Sequence, residues 1–196
     1  MRKIVVSEFV TLDGVIQAPG GANEDTDGGF TLGGWTEPYW HDDIGAHFGE
    51  VMSGSDAFLL GRKTWQIHGG AFEPMAEGDP FGDVMNAMPK YVVSNTLTSA
   101  AAWRNSTLIS GDVEPQVRAL KEQPGKDILI DGSSVLIHAL AKNDLIDEYR
   151  LIVYPVALGG GKRLFPDGVQ LKLKLVEARP LPSGVVITHY IVERSS

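Results

Sequence analysis

Two segments place glycine, hydroxyls and charged side chains at the end of an apolar run. Gly61-Arg62-Lys63-Thr64 follows Phe58-Leu59-Leu60, and Asp131-Gly132-Ser133-Ser134 follows Ile128-Leu129-Ile130. An apolar run this short, stopped by glycine, reads as a buried parallel strand, and the polar residues behind it as the start of a helix. The first turn of a helix carries unpaired N–H groups and a partial positive charge, so it attracts anions. Arginine adds a planar fork that grips phosphate through two parallel hydrogen bonds, and lysine adds a point charge. Either junction alone is a common turn. Side by side at the carboxyl ends of neighbouring strands, where open α/β sheets bind ligands, they would make a cleft for a diphosphate. Ser94-Asn95, closing the run Tyr91-Val92-Val93, brings further hydrogen-bonding groups to a third strand end.

Other chemistries lack their residues. The chain of 196 residues has no cysteine, which excludes disulfide scaffolds, thiol catalysis and thiolate metal sites. Its 5 histidines show no metal-ligand spacing, so no metal is expected. G-x-G-x-x-G and G-x-S-x-G are both absent. Gly159-Gly160-Gly161-Lys162-Arg163 lacks the earlier glycine and following Ser/Thr of a P-loop, and reads as a turn. The net charge of −8 argues against a nucleic-acid partner, whose affinity rests on neutralised phosphates. No apolar run approaches the roughly 20 residues that span a bilayer, and Glu8 interrupts any signal-peptide core. A cytoplasmic protein without a membrane partner is expected.

The elements that must position the two junctions can be read from patterning. Ile4 to Thr11 is β-branched and apolar around Ser7-Glu8, a first strand, and Leu12-Asp13-Gly14 turns the chain. From Gln17 to Trp40 runs a glycine-rich loop bearing Phe30, Trp35, Tyr39 and Trp40, read as a binding loop or lid in preference to a structural Ω-loop. A helix is expected from about His41 to Ser53, strands at Ala57–Leu60, Tyr91–Ser94 and Thr107–Ser110, and a helical turn from Lys63 to His68. Gly69 to Pro80 reads as loop and Phe81 to Met88 as a short helix. Asp112 and Ser133 or Ser134 look like helix caps. After a strand at Tyr149–Tyr154, Leu171 to Leu175 alternates with lysine as an edge strand, and Val185 to Val192 returns beside it. Strands alternating with helices and a closing hairpin predict one α/β domain over 1–196, its sheet mixed and mostly parallel, with an antiparallel C-terminal hairpin.

In order along the chain, Val10-Thr11-Leu12-Asp13-Gly14, Leu60-Gly61-Arg62-Lys63-Thr64-Trp65, Tyr91-Val92-Val93-Ser94-Asn95 and Ile130-Asp131-Gly132-Ser133 resemble motifs of the dihydrofolate reductase superfamily. The stretch from Leu145 through Tyr154-Pro155 to Lys162-Arg163-Leu164-Phe165-Pro166 is similar to the reductase domain of the bifunctional riboflavin-biosynthesis deaminase–reductase.

That resemblance implies a dihydrofolate-reductase-like fold, NADPH as cofactor, a small heterocyclic substrate and a homodimer. Gly61, Arg62, Lys63 and Thr64 would hold cofactor phosphates, Ser94 and Asn95 would lie near the adenosine ribose, and Gly14 and Val15 would border the nicotinamide. Asp131, Gly132, Ser133, Ser134 and Val135 would pass under the pyrophosphate, which requires the Asp131 carboxylate to point away. Trp35 and Tyr39 in the lid would meet substrate, and Asp43 on the first helix would supply a proton; Asp13 is a second candidate, with a turn-forming carboxylate as the equal alternative. The substrate implied is a ribosylaminopyrimidine phosphate, as in riboflavin synthesis, with a dihydropterin as the alternative. A nucleotide-binding domain without catalysis is the reading of another class.

Overall fold

The computed structural model describes residues 1–75 and 77–194. Eight strands form one sheet: β1 (Ile4–Thr11), β2 (Ser55–Gly61), β3 (Lys90–Val93), β4 (Ser106–Ile109), β5 (Asp127–Asp131), β6 (Glu148–Tyr154), β7 (Leu173–Pro180) and β8 (Val186–Val192). Their order is β4-β3-β2-β5-β1-β6-β8-β7. β4 through β6 run parallel, while β8 pairs antiparallel with β6 and β7 antiparallel with β8. The mixed, mostly parallel sheet with an antiparallel C-terminal edge is the architecture expected from the sequence.

Five helices cover the sheet: α1 (Asp42–Ser53), α2 (Arg62–Phe72), α3 (Pro80–Ala87), α4 (Val113–Glu122) and α5 (Ser134–Lys142). Period-2 alternation along the strands sends Ile4, Val6, Ile128 and Ile130 to one face, against Val117 and Leu120 of α4 and Ile137 and Leu140 of α5. Val5, Phe58, Leu60 and Leu129 face the other way, onto Val51 and Met52 of α1, Trp65 of α2 and Met85 of α3. A third cluster joins Trp35 and Ile44 to Tyr154, Ile187 and Val185 beneath the C-terminal hairpin.

Three local expectations shift. α2 continues through Gly69-Gly70 to Phe72 rather than yielding to loop at Gly69. A side chain at Gly69 would come within 3.2 Å of Trp103 Cβ, so the glycine there serves close packing rather than a chain break. The edge strand occupies Leu173–Pro180, later than the Leu171–Leu175 alternation, with a register shift between Leu175 and Glu177. Asp112 and Ser133 stand at helix starts, yet neither side chain caps its own helix.

Among the described residues, no helix is long and apolar enough to cross a membrane. In the same residues no group of three or more carboxylates and imidazoles is placed to hold a metal ion.

Candidate active site

β5 lies between β2 and β1, so the ends of β3, β2 and β5 are consecutive along one rim of the sheet. α2 begins at the end of β2, and α5 begins after Gly132 and Ser133 at the end of β5. The two junctions touch: the Gly61 N–H donates to Ser133 Oγ at 2.8 Å. Ser133 takes a left-handed backbone (φ 74, ψ 51), and its hydroxyl serves the neighbouring junction instead of its own helix. Gly132 is also left-handed (φ +76), and a Cβ there would sit 2.7 Å from Thr64 Cγ2. Only glycine lets the first turn of α2 pack this closely on the β5–α5 turn.

Both helix starts are bare. Neither α2 nor α5 has a side-chain cap or an acidic residue in its first turn. α3 is capped by Asp79, and α1 carries Asp42 and Asp43 in its first turn. The orphan N–H groups of α2 and α5 therefore remain available to an anion.

These junctions form one wall of a cleft of about 1150 Å³, above the roughly 300–1,000 Å³ usual for a small-ligand site. Gly61, Arg62, Lys63, Thr64, Ser94, Asp131, Gly132, Ser133, Ser134 and Val135 all line it. The opposite wall is apolar: Ile44, Phe48 and Met52 follow one another at four-residue spacing along α1, and Trp40, 60% exposed, stands at the rim. Phe72 and Phe81 extend this wall, packing edge-to-face at 5.3 Å.

The two lysines nearest the lid are already paired. Lys63 Nζ lies 3.1 Å from Asp27 Oδ1, and Lys162 Nζ lies 2.5 Å from Asp25 Oδ2 and 2.9 Å from Asp27 Oδ2. Gln17 reinforces this latch by donating to the carbonyls of Asp25 and Asp27 and accepting from the Lys162 N–H. Arg62 donates to Gln66 and makes no ion pair among the described residues.

The floor holds acids that reading the sequence did not bring together. Glu8, Glu24, Asp25 and Asp131 line the cleft with His68. The Asp131 carboxylate turns toward α2, its Oδ2 3.3 Å from His68 Nε2. Burial, with the Glu24 charge adding to it, pushes Asp131 up to about 7, while burial drives His68 down to about 4. Glu8 rises well above the ordinary carboxylate range through burial first and the Asp131 charge second.

Several residues expected at the site stand elsewhere. Asp13 accepts from Thr11 Oγ1 at 2.6 Å and from the N–H groups of Leu158 and Gly159, bonds that pull it down to about 2 and make it a turn brace. Asp43 sits on α1 beside Arg179, 3.7 Å away, facing the C-terminal hairpin. Trp35 is buried: its indole N–H donates to Gln17 O, and its ring meets Tyr154 edge-on at 5.3 Å. Tyr39 packs on the same tyrosine. Val15 is buried, and its Cγ1 lies where a Cβ on Gly161 would be 2.7 Å away. Gly14 accepts from the Leu164 N–H, and Ile16 through Pro19 line the cleft instead. Asn95 points outward, accepting from the Gly111 N–H at 2.7 Å.

The profile of the RibD C-terminal domain family matches residues 2–187. The chain belongs to this family. It is 32% identical over 193 residues to the uncharacterized protein YyaP of Bacillus subtilis, covering 94% of this chain and 92% of that one. A Thermotoga maritima diaminohydroxyphosphoribosylaminopyrimidine deaminase/5-amino-6-(5-phosphoribosylamino)uracil reductase superposes with a TM-score of 0.65 at 16% identity, over 97% of this chain and 56% of that longer one. Enterococcus faecalis dihydrofolate reductase, solved with NADP(H), superposes with a TM-score of 0.62 at 15% identity, over 98% and 97% of the two chains. The fold is therefore dihydrofolate-reductase-like, and the chain is a domain of the RibD C-terminal type.

Proposed function

We propose that this chain is an NADPH-dependent reductase of a heterocyclic substrate. The observation that carries the reading is the pair of uncapped helix starts, α2 and α5, tied together by Gly61 and Ser133 in the wall of a large cleft whose opposite wall is apolar. The residues suit a dinucleotide. The free N–H groups of α2 and α5 would hold the pyrophosphate, and the bare turn at Gly132 lets it approach the backbone closely. Arg62, without an acidic partner among the described residues, would take the 2′-phosphate, and Ser94, which lines the cleft, would meet the adenosine ribose. The bound cofactor supplies hydride.

The protein's own contribution is to orient and to exclude water. Ile44, Phe48 and Met52 offer an apolar face on which a flat ring can lie, and Trp40 closes it from the rim. The latch of Asp25 and Asp27 on Lys63 and Lys162 fixes the lid loop against the cofactor wall. Turning Asp131 toward His68 keeps its carboxylate off the phosphate path. Within the class, the similarity to the Thermotoga maritima enzyme supports a 5-amino-6-(5-phosphoribosylamino)uracil-type substrate; a dihydropterin is the second choice, supported by the similarity to dihydrofolate reductase.

Titrating tryptophan fluorescence with NADPH and NADH tests the cofactor, since Trp40 lines the cleft and Trp65 sits in α2. Loss of NADPH absorbance on adding each substrate tests the reaction. Binding of NADPH without oxidation would leave a nucleotide-binding domain without catalysis.

A further inference from the structure

This inference rests on the reductase reading. Reducing a C=N bond by hydride leaves an electron pair on nitrogen that must be met by a proton in a site closed to water. Four carboxyl residues line the cleft, and two of them have hydrogen-bonded or charged partners. Glu24 Oε2 accepts from the N–H groups of Gly20 and Gly21 at 2.7 and 3.2 Å. Asp25 is ion-paired with Lys162 at 2.5 Å. Asp131 Oδ2 lies 3.3 Å from His68 Nε2, a buried nitrogen that makes no hydrogen bond among the described residues.

Glu8 differs. It is 4% exposed, and its Oε1 is buried with no hydrogen-bond partner among the described residues. Its position follows from the topology. The ladder between β1 and β5 ends at the pair Ser7 and Asp131, whereas β1 stays paired with β6 as far as Thr11. The sheet thus parts at Glu8, and the side chain enters the gap that forms the cleft floor.

The groups around it favour a held proton. Asp131 from β5 and Glu24 from the lid loop add negative charge to the effect of burial, and only the Gly132 N–H opposes them. His68 from α2 is neutral above its lowered value of about 4. Lys63 and Lys162 line the same cleft but are paired with Asp25 and Asp27, and Arg62 stands exposed at the helix start.

We propose that Glu8 is the catalytic acid, donating its carboxyl proton to the substrate nitrogen while the adjacent carbon accepts hydride. The carboxyl O–H breaks and an N–H forms; the C=N bond is reduced, the dihydronicotinamide is oxidised, and the Glu8 carboxylate recovers its proton from water.

The test compares wild type with Glu8→Gln and Glu8→Asp, using NADPH binding by fluorescence as the folding control. Infrared difference spectra of wild type minus Glu8→Gln at neutral pH should show the carbonyl band of a protonated carboxyl. Single-turnover NADPH oxidation is then followed with dihydrofolate and with 5-amino-6-(5-phosphoribosylamino)uracil. Glu8→Gln should slow oxidation about 100-fold and abolish the fall in rate at alkaline pH, and Glu8→Asp should restore part of both. Absence of the infrared band, or a Glu8→Gln rate within about twofold of wild type with an unchanged pH profile, overturns the assignment. Wild type that binds NADPH but oxidises it with neither probe overturns the reductase reading, and Glu8's role with it.

Discussion

The Gly61 N–H and Ser133 Oγ, 72 positions apart in sequence, meet at 2.8 Å and bind the two uncapped helix starts into one unit. Ser133→Ala removes the acceptor and leaves the Gly61 amide without it, at a cost of about 1 kcal/mol of stability. The spacing of the two helix starts should loosen as well. NADPH affinity, followed by tryptophan quenching, should fall several-fold while the far-ultraviolet circular dichroism stays unchanged.

Gly132→Ala tests the close approach on the other side of that unit. The new methyl would lie 2.7 Å from Thr64 Cγ2 and the backbone is left-handed, so a loss of about 1–3 kcal/mol is expected in urea denaturation. Adding Thr64→Ala removes the clash but not the backbone cost. The double variant should recover part of the loss and no more.

Arg62→Ala should separate the two pyridine nucleotides. If the guanidinium reads the 2′-phosphate, NADPH binding weakens about tenfold, the size of one charge-assisted contact, and NADH binding hardly changes. Equal losses for both cofactors, measured in parallel titrations, would assign Arg62 to the pyrophosphate instead.

The acids of the cleft floor make stability depend on pH in a fixed direction. Burial pushes Asp131 up to about 7 from an ordinary 3.8, and Glu8 is raised as well, so between these values the two acids hold more protons in the folded state than in the unfolded one. His68, lowered to about 4 from 6.5, holds fewer and offsets one of them below 6.5. Stability from the two acids is complete in acid and is lost as pH rises toward 7 and beyond. Each proton contributes a slope of at most about 1.4 kcal/mol per pH unit. Denaturation midpoints at pH 5 and pH 8 should differ in wild type, and Asp131→Asn should narrow that difference.

How much of this was legible in the sequence follows from where the information resides. The strand–glycine–helix junctions at Gly61 and Gly132 could be read because each is local: an apolar run, a glycine and a polar start lie within ten residues. The buried acids could not. Glu8, His68 and Asp131 come from three separate elements, and only the placement of β5 beside β1 and beneath α2 brings them to one cavity. A lone glutamate in the apolar strand Ile4–Thr11 was the available signal. Asp43 precedes Ile44, but a helical step of 100° separates it from the Ile44, Phe48 and Met52 stripe that faces the cleft. Among the lid aromatics, composition could not tell which ring points inward. Trp35 finds a hydrogen bond and a tyrosine partner in the core, and Trp40 is left at the rim.

The order of the strands governs when the cleft can exist. β5 is inserted between β1 and β2 only after both have been synthesised, so a nascent chain shorter than about Asp131 has neither the second helix start nor the closed floor. Until that strand docks, the apolar edges of β1 and β2 are open to wrong pairing. A ligand that requires both junctions at once recognises only chains in which β5 has docked, and its binding draws that docking step to completion.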